Sequence, residues 1–140
     1  RLRLWLKLLK TSSRIETELR RRLRVEYGTT LPRFDVMAAL SRHTSGLKMS
    51  ALSSLLRVSN GNVTVIVDRL TEEGHALRIS MPGDRRAQIA ILTPAGRALF
   101  SKLAAIHEAW LDQLLLGLDA EDAATLHALL GKTEGEIDAE

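Results

Sequence analysis

The sequence predicts a mainly α-helical chain with a small β-hairpin, an α+β class, and three observations carry that expectation. Apolar residues recur at three- and four-residue spacing through most of the 140 positions, and the period shortens to two between Leu77 and Ile91. Gly or Pro falls at most of the points where one pattern gives way to the next. A chain of this length with 45% hydrophobic content can build one ordinary core.

Composition removes several classes of function. There is no cysteine, so disulfides, thiolate nucleophiles, cysteine zinc sites and thiol redox sensing are excluded for these residues. No apolar run reaches the length of a bilayer span and no signal-peptide pattern is visible, so a soluble, cytoplasmic protein without a membrane partner is expected. The chain opens on Arg1 rather than methionine, which leaves room for native sequence upstream. The net charge of +3 says little alone, but its distribution is uneven. Residues 1–33 hold ten basic and three acidic side chains, residues 34–98 eight and five, and residues 99–140 two and nine. A basic leading segment and an acidic trailing one attract each other, within a chain or between chains, and apolar burial must supply the bulk of any association.

Residues 2–26 read as one long helix with a seam of Leu8, Ile15, Leu19 and Leu23, widened by Trp5 and Leu9. The basic run from Arg20 to Arg24 is either a nucleic-acid contact or an ordinary solvated helix face. Gly28 to Pro32 ends this helix. A second follows Pro32 with Phe34, Val36, Met37 and Leu40 inward, and exits through Ser41 to Gly46. Ser50 is expected to cap a third, short helix carrying Leu52, Leu55 and Leu56, and Arg57 and Val58 link it to the next.

That next helix spans Ser59 to Gly74, with a serine N-cap and a glycine stop. Val63, Ile66, Val67 and Leu70 fall at i, i+3, i+4 and i+7 and should face a core. The opposite side carries Gly61, Val65 and Asp68, flanked by Asn62, Thr64 and Arg69, a small polar face that meets either water or base edges. Two helices a few residues apart form a helix-turn-helix layout.

Alternation then takes over. Leu77, Ile79 and Met81 alternate with Arg78 and Ser80, and Ala87, Ile89 and Ile91 resume the pattern after a Pro82-Gly83-Asp84 turn. Arg85 and Arg86 lie near the tip of this hairpin, where guanidinium groups can enter a narrow minor groove. Thr93-Pro94 begins a long helix lined by Leu99, Leu103, Ile106, Trp110 and Leu114, and Asp119 caps a last one with Ala123, Leu126, Leu130 and Ile137 as its stripe.

Other chemistry is not encoded. His43, His75, His107 and His127 show no metal-ligand spacing, so no metal site is expected. There is no phosphate-binding glycine loop, no nucleophile with a recognisable base, and no paired carboxylates, so no catalytic residue is assigned. Asp68, Glu72 and Glu73 read as helix surface.

Asn62-Val63-Thr64 with Asp68-Arg69-Leu70, the Glu73-Gly74 stop, Asp84-Arg85-Arg86 and Leu92-Thr93-Pro94-Ala95-Gly96 occur together and in order. Over about Leu31 to Phe100, and more loosely over the flanking helices, the sequence resembles the MarR-type winged helix-turn-helix regulators. The resemblance implies an N-terminal dimerisation helix over 1–30, a DNA-binding lobe over 31–98 and C-terminal dimerisation helices over 99–140. It implies a homodimer on a near-palindromic duplex operator, acting as a repressor that releases DNA when a small anionic or phenolic effector binds. No cofactor is implied. Matching the motif residue by residue gives a DNA contact set of Arg33, Ser59, Asn60, Gly61, Asn62, Thr64, Val65, Arg69, Asp84, Arg85 and Arg86. Asn62 has the amide for adenine, Val65 suits a thymine methyl, Arg86 suits the minor groove, and Arg33 and Arg85 suit phosphates, with Asp84 orienting a wing arginine and Arg69 bracing Asp68 or a phosphate. An effector pocket over Trp5, Tyr27, Met37, His107 and Trp110 is the corresponding ligand expectation, and ordinary core packing is its alternative. A winged-helix module that binds protein, or acts as a scaffold without reading DNA, is the alternative function.

Overall fold

The computed structural model describes residues 1–56 and 59–139, without the side chains of Asn60 and Arg85. The expected link at Arg57 and Val58 lies outside the described residues. The elements are α1 (Leu2–Tyr27), α2 (Leu31–Arg42), β1 (Leu47–Lys48), α3 (Met49–Leu56), α4 (Asn60–Glu72), β2 (Ala76–Met81), β3 (Asp84–Leu92), α5 (Pro94–Leu114) and α6 (Ala120–Asp138). They fall into two compact units, Arg1–His107 and Glu108–Glu140.

In the first unit, local chemistry sets each boundary. Gly28 adopts a left-handed conformation and its N–H donates to the Arg24 carbonyl, closing α1. The Thr30 hydroxyl accepts from the Arg33 N–H and Pro32 occupies the first turn, opening α2. Val36, Met37, Ala39 and Leu40 of α2, Leu52 of α3, Val63, Val67 and Leu70 of α4, and Ala76, Ala90 and Leu92 of the sheet form one core. Ile66, the fourth member of the expected α4 stripe, is partly buried against it.

The sheet differs from the expected hairpin in two ways. It has three strands in the order β1-β3-β2, all antiparallel, because Leu47 and Lys48 pair with Ala90 and Ile89. A two-residue strand carries no readable alternation. The phase of burial is also the reverse of the larger side chains. Ala76, Ala90 and Leu92 face the core, while Leu77 and Ile79 are each 50% exposed and stand opposite Ile91 and Ile89 on the outer face. Small residues on the inner face let the helical layer approach, and the branched ones strengthen the ladder outside.

Two further corrections concern helices. Ser50 is the second residue of α3 and not its cap, because the helix starts at Met49 directly after β1. Along α1, Leu19 and Leu23 are buried and Ile15 partly so, but Leu2, Leu4, Trp5, Leu6 and Leu9 are exposed.

Gly96 lies tightly against another stretch of backbone. A Cβ there would stand 1.9 Å from the His75 carbonyl oxygen, which already accepts the Thr93 N–H at 3.0 Å. The Thr93 hydroxyl donates to the Gly74 carbonyl at 2.7 Å and accepts the Gly96 N–H at 3.0 Å. The start of α5 is thereby fastened to the end of α4.

The second unit contains α6, which opens with a reciprocal capping box between Asp119 and Asp122. Its described residues include none that is buried, and Leu126, Leu129 and Ile137 are exposed. No helix is long and apolar enough to cross a membrane among the described residues.

Candidate nucleic-acid interface

Helix α4 presents two faces, as its sequence demands. The Ser59 hydroxyl accepts the Asn62 N–H at 3.3 Å and fixes the first turn. Val63, Val67 and Leu70 are at most 1% exposed and anchor the helix to its lobe. Gly61, Asn62, Val65 and Arg69 are exposed on the other side, with Val65 at 63%, and Thr64 is half-buried. Leaving a branched aliphatic side chain in water has no stabilising purpose, whereas a thymine methyl is a suitable partner for it. The backbone of Asn60 begins the helix.

The wing is shaped by Asp84. Its carboxylate accepts the Arg86 N–H at 2.9 Å, so it organises the backbone of the arginine and not the guanidinium. Gly83 supplies the positive φ of 82° that the turn requires. Arg86 is exposed. The side chain of Arg85 lies outside the described residues.

Ionic contacts redistribute several expected roles. Arg33, expected to meet a phosphate, makes a forked pair with Glu73, at 3.1 Å from Nη1 to Oε1 and 2.5 Å from Nη2 to Oε2. Glu73 is therefore not idle surface: it ties the start of α2 to the end of α4, and the Arg33 guanidinium holds its carboxyl below the usual glutamate value. His75 Nδ1 lies 3.5 Å from the same carboxylate. Asp68 is not braced by Arg69. Arg78 of β2 donates to the Asp68 carboxylate and to the Gln88 side-chain oxygen of β3, linking α4 to both wing strands. The basic run of α1 is largely paired along its own helix. Arg21 and Arg22 donate to Glu18 at 2.7 and 2.8 Å and hold its carboxyl at about 2, and Arg20 lies 3.8 Å from Glu16.

Among the described residues, three of the concave regions border these elements. The largest of these three, about 690 Å³, is lined by Arg20 and Arg24 of α1, Thr29 and Thr30 before α2, and Ser59 and Asn62 at the start of α4. A second, about 240 Å³, lies between α4 and the base of the wing. A third, about 260 Å³, brings together Tyr27 and Met37 with Arg33 and Glu73. Of the expected effector residues, Tyr27 and Met37 thus share one cavity. Trp5 is 56% exposed on α1, His107 stacks on Phe34 with ring centroids 4.5 Å apart, and Trp110 is buried in the other unit. None of these three lines the cavities just described. Burial holds the His107 imidazole below its ordinary value, as expected for a ring packed on an aromatic face. No group of three or more histidine or acidic side chains that could hold a metal occurs among the described residues.

Sequence reasoning missed Arg20, Arg24 and Thr30 as one wall, and Lys48, Ser50, Arg78 and Gln88 around the wing base. The available signals were the basic run holding Arg20 and Arg24, and Arg78, a charged residue on the inner phase of β2, ten positions after a carboxylate on α4.

Comparisons with known proteins agree with this geometry. A sequence model of the MarR family matches residues 27–87. The chain is 32% identical over 108 residues to the uncharacterized HTH-type transcriptional regulator YkoM of Bacillus subtilis, spanning 76% of this chain and 69% of that protein. It is 29% identical over 114 residues to the regulator PecS of Dickeya dadantii, spanning 80% and 69%. A MarR family transcriptional regulator from Silicibacter pomeroyi superposes with a TM-score of 0.80 at 34% identity, covering 97% of this chain and 94% of the other. A mutant of MarR from E. coli, solved in complex with operator DNA, superposes with a TM-score of 0.75 at 25% identity, covering 93% and 92%. The Ser59-capped helix, the Asp84-shaped wing and these matches lead to one assignment: the chain belongs to the MarR family of transcriptional regulators.

Proposed function

We propose that the chain acts as a homodimeric repressor that reads a near-palindromic operator and releases it when a small anion binds. The observation that carries this reading is α4. Its aliphatic stripe is buried while Asn62, Val65 and Arg69 are exposed, beside a wing that presents Arg86. A relative solved on operator DNA supports the same use of the fold. Asn62 then reads adenine, Val65 a thymine methyl, and Arg86 the minor groove, each good base contact discriminating by about 1–3 kcal/mol. Thr64 and the first-turn amides, including those of Asn60 and Gly61, meet phosphate or base, and Arg85 meets phosphate.

Dimerisation covers the apolar surface left on the terminal helices. Leu2, Leu4, Trp5, Leu6 and Leu9 of α1, and Leu126, Leu129 and Ile137 of α6, remain exposed in the single chain. Opposite charge on the two ends selects the pairing register. Two recognition helices must then sit about one DNA turn apart, roughly 34 Å, and a ligand that favours another spacing lowers affinity. The 690 Å³ groove has the volume of a small-molecule site, and its Arg20 and Arg24 suit an anion. Because Ser59 and Asn62 also line it, an occupant contacts the turn that reads bases.

A gel-shift titration tests the reading. The chain should prefer a palindromic site upstream of its own or a neighbouring gene over random duplex at physiological salt, and Arg86→Ala should weaken that preference by about 1–3 kcal/mol. Equal affinity for both duplexes would refute it.

A further inference from the structure

Adjacent grooves of B-DNA are separated by a sugar–phosphate strand. A protein that puts a helix into the major groove and the neighbouring wing into the minor groove must therefore straddle one row of phosphates. In this chain the surface between those two elements is concave. The cavity of about 240 Å³ is walled by Thr64 of α4, by Arg86 and Gln88 of β3, and by Lys48 and Ser50 where β1 passes into α3. Its lining includes two cations and two hydroxyls and no carboxylate. Its volume falls below the roughly 300–1,000 Å³ typical of small-molecule sites, which favours a small anionic group over an organic effector.

The walls are also held in place before anything binds. Arg78 donates to Asp68, one helical turn beyond Thr64, and to Gln88, which lines the cavity itself. One buttress thus sets the separation of α4 and β3. Arg33, by contrast, is engaged by Glu73. Lys48 and Ser50 are both exposed and both line the cavity.

We propose that this cavity seats one backbone phosphate of the DNA strand running between the major groove entered by α4 and the minor groove entered by the wing. Lys48 supplies the positive charge, the Ser50 hydroxyl donates to a phosphate oxygen, and Thr64 forms the α4 wall of the seat. Arg86 passes along the rim toward the minor groove. The inference rests on the DNA-binding reading above and adds Lys48 and Ser50 to the contact set, as residues that fix register without reading sequence.

The test uses the full chain, with binding measured on a palindromic and a random duplex over a range of salt concentrations. Lys48→Ala should make the slope of log Kobs against log salt shallower by about 1.8 on both duplexes, the release expected for one phosphate per subunit of the dimer, and leave the ratio between them unchanged. Lys48→Gln, which keeps the stem, should give the same change, and unaltered melting of both variants separates the effect from folding. Slopes equal to the wild type in both variants would overturn the seat. A lower ratio between the duplexes would also overturn it, since Lys48 would then be reading bases. Wild-type binding that ignores sequence would refute the repressor reading while leaving the slope comparison intact. Inorganic phosphate at constant ionic strength distinguishes a free-anion site. Lys48-dependent, saturable binding of phosphate without DNA would overturn the proposal, and its absence is the expected result.

Discussion

Replacing Gly96 with alanine tests how the DNA-binding lobe is joined to the long helix that follows it. The added Cβ would lie 1.9 Å from the His75 carbonyl oxygen, 2.8 Å from its carbon and 3.2 Å from the His75 Cα. All three obstacles are backbone, so no side chain can swing aside. Ordinary contact begins at 3.4 Å, and the shortfall of about 1.5 Å must come from moving the start of α5. That movement breaks the Thr93 N–H to His75 bond and the Thr93 hydroxyl to Gly74 bond. Two hydrogen bonds at about 1 kcal/mol each, with about 1–3 kcal/mol of residual overpacking, give a loss of about 3–5 kcal/mol. Against a total stability of about 5–15 kcal/mol, Tm should fall by about 10 °C or more. Thermal and urea denaturation followed by circular dichroism at one fixed protein concentration would measure this. Gly61→Ala serves as the control, because nothing lies within 4 Å of its added methyl; that variant should melt at or slightly above the wild type. A Gly96→Ala protein melting within about 3 °C of the wild type would refute the fastening described here.

Two other perturbations address the ionic contacts. Glu73→Gln should cost no more than about 1 kcal/mol at neutral pH, because the carboxylate is 38% exposed and water screens the pair. The Glu73 carboxyl is held below its unfolded value, so the pair's contribution is complete above that unfolded value and disappears as pH falls through the folded one; wild-type and variant stabilities should converge in acid. In a double-mutant cycle of Asp68→Asn and Arg78→Ala, the single Arg78 variant should weaken DNA binding more than the double variant. It alone leaves an unpaired carboxylate on α4 beside the phosphates, and additive effects would refute that coupling.

The sequence carried most of the helical frame because several helix ends, though not the start of α3, are set by local chemistry. Ser59, Asp119, Pro94 and Gly28 act on their immediate neighbours, and their effects can be read without knowing the fold. The stripe Val63, Val67 and Leu70 was legible for the same reason, since period alone places it. What escaped depends on residues far apart in the chain. β1 exists because Leu47 and Lys48 meet residues more than forty positions later, and two residues hold no period. The burial phase of β2 escaped because alternation says which residues share a face, not which face is covered; the alanines were the inner ones. Arg33 and Asp68 each had partners, Glu73 and Arg78, that only the packing of α2, α4 and β2 brings within reach. Of the candidate effector residues, Tyr27 and Met37 share a cavity with Arg33 and Glu73, a grouping that depends on how α1, α2 and α4 pack and that no spacing in the sequence shows.

Helix α6 has a consequence for how much of this protein a cell can hold. It begins with a good cap yet buries none of its described residues, and a 19-residue helix in water gains little from propensity alone. In the homodimer proposed above, its folding becomes a function of subunit concentration. When copies are dilute, residues 120–138 should fray and offer an unfolded tail to proteases; when copies are abundant, association shelters the same residues. Abundance would then be self-limiting at its lower end, with orphan subunits removed before they can occupy half of a binding site.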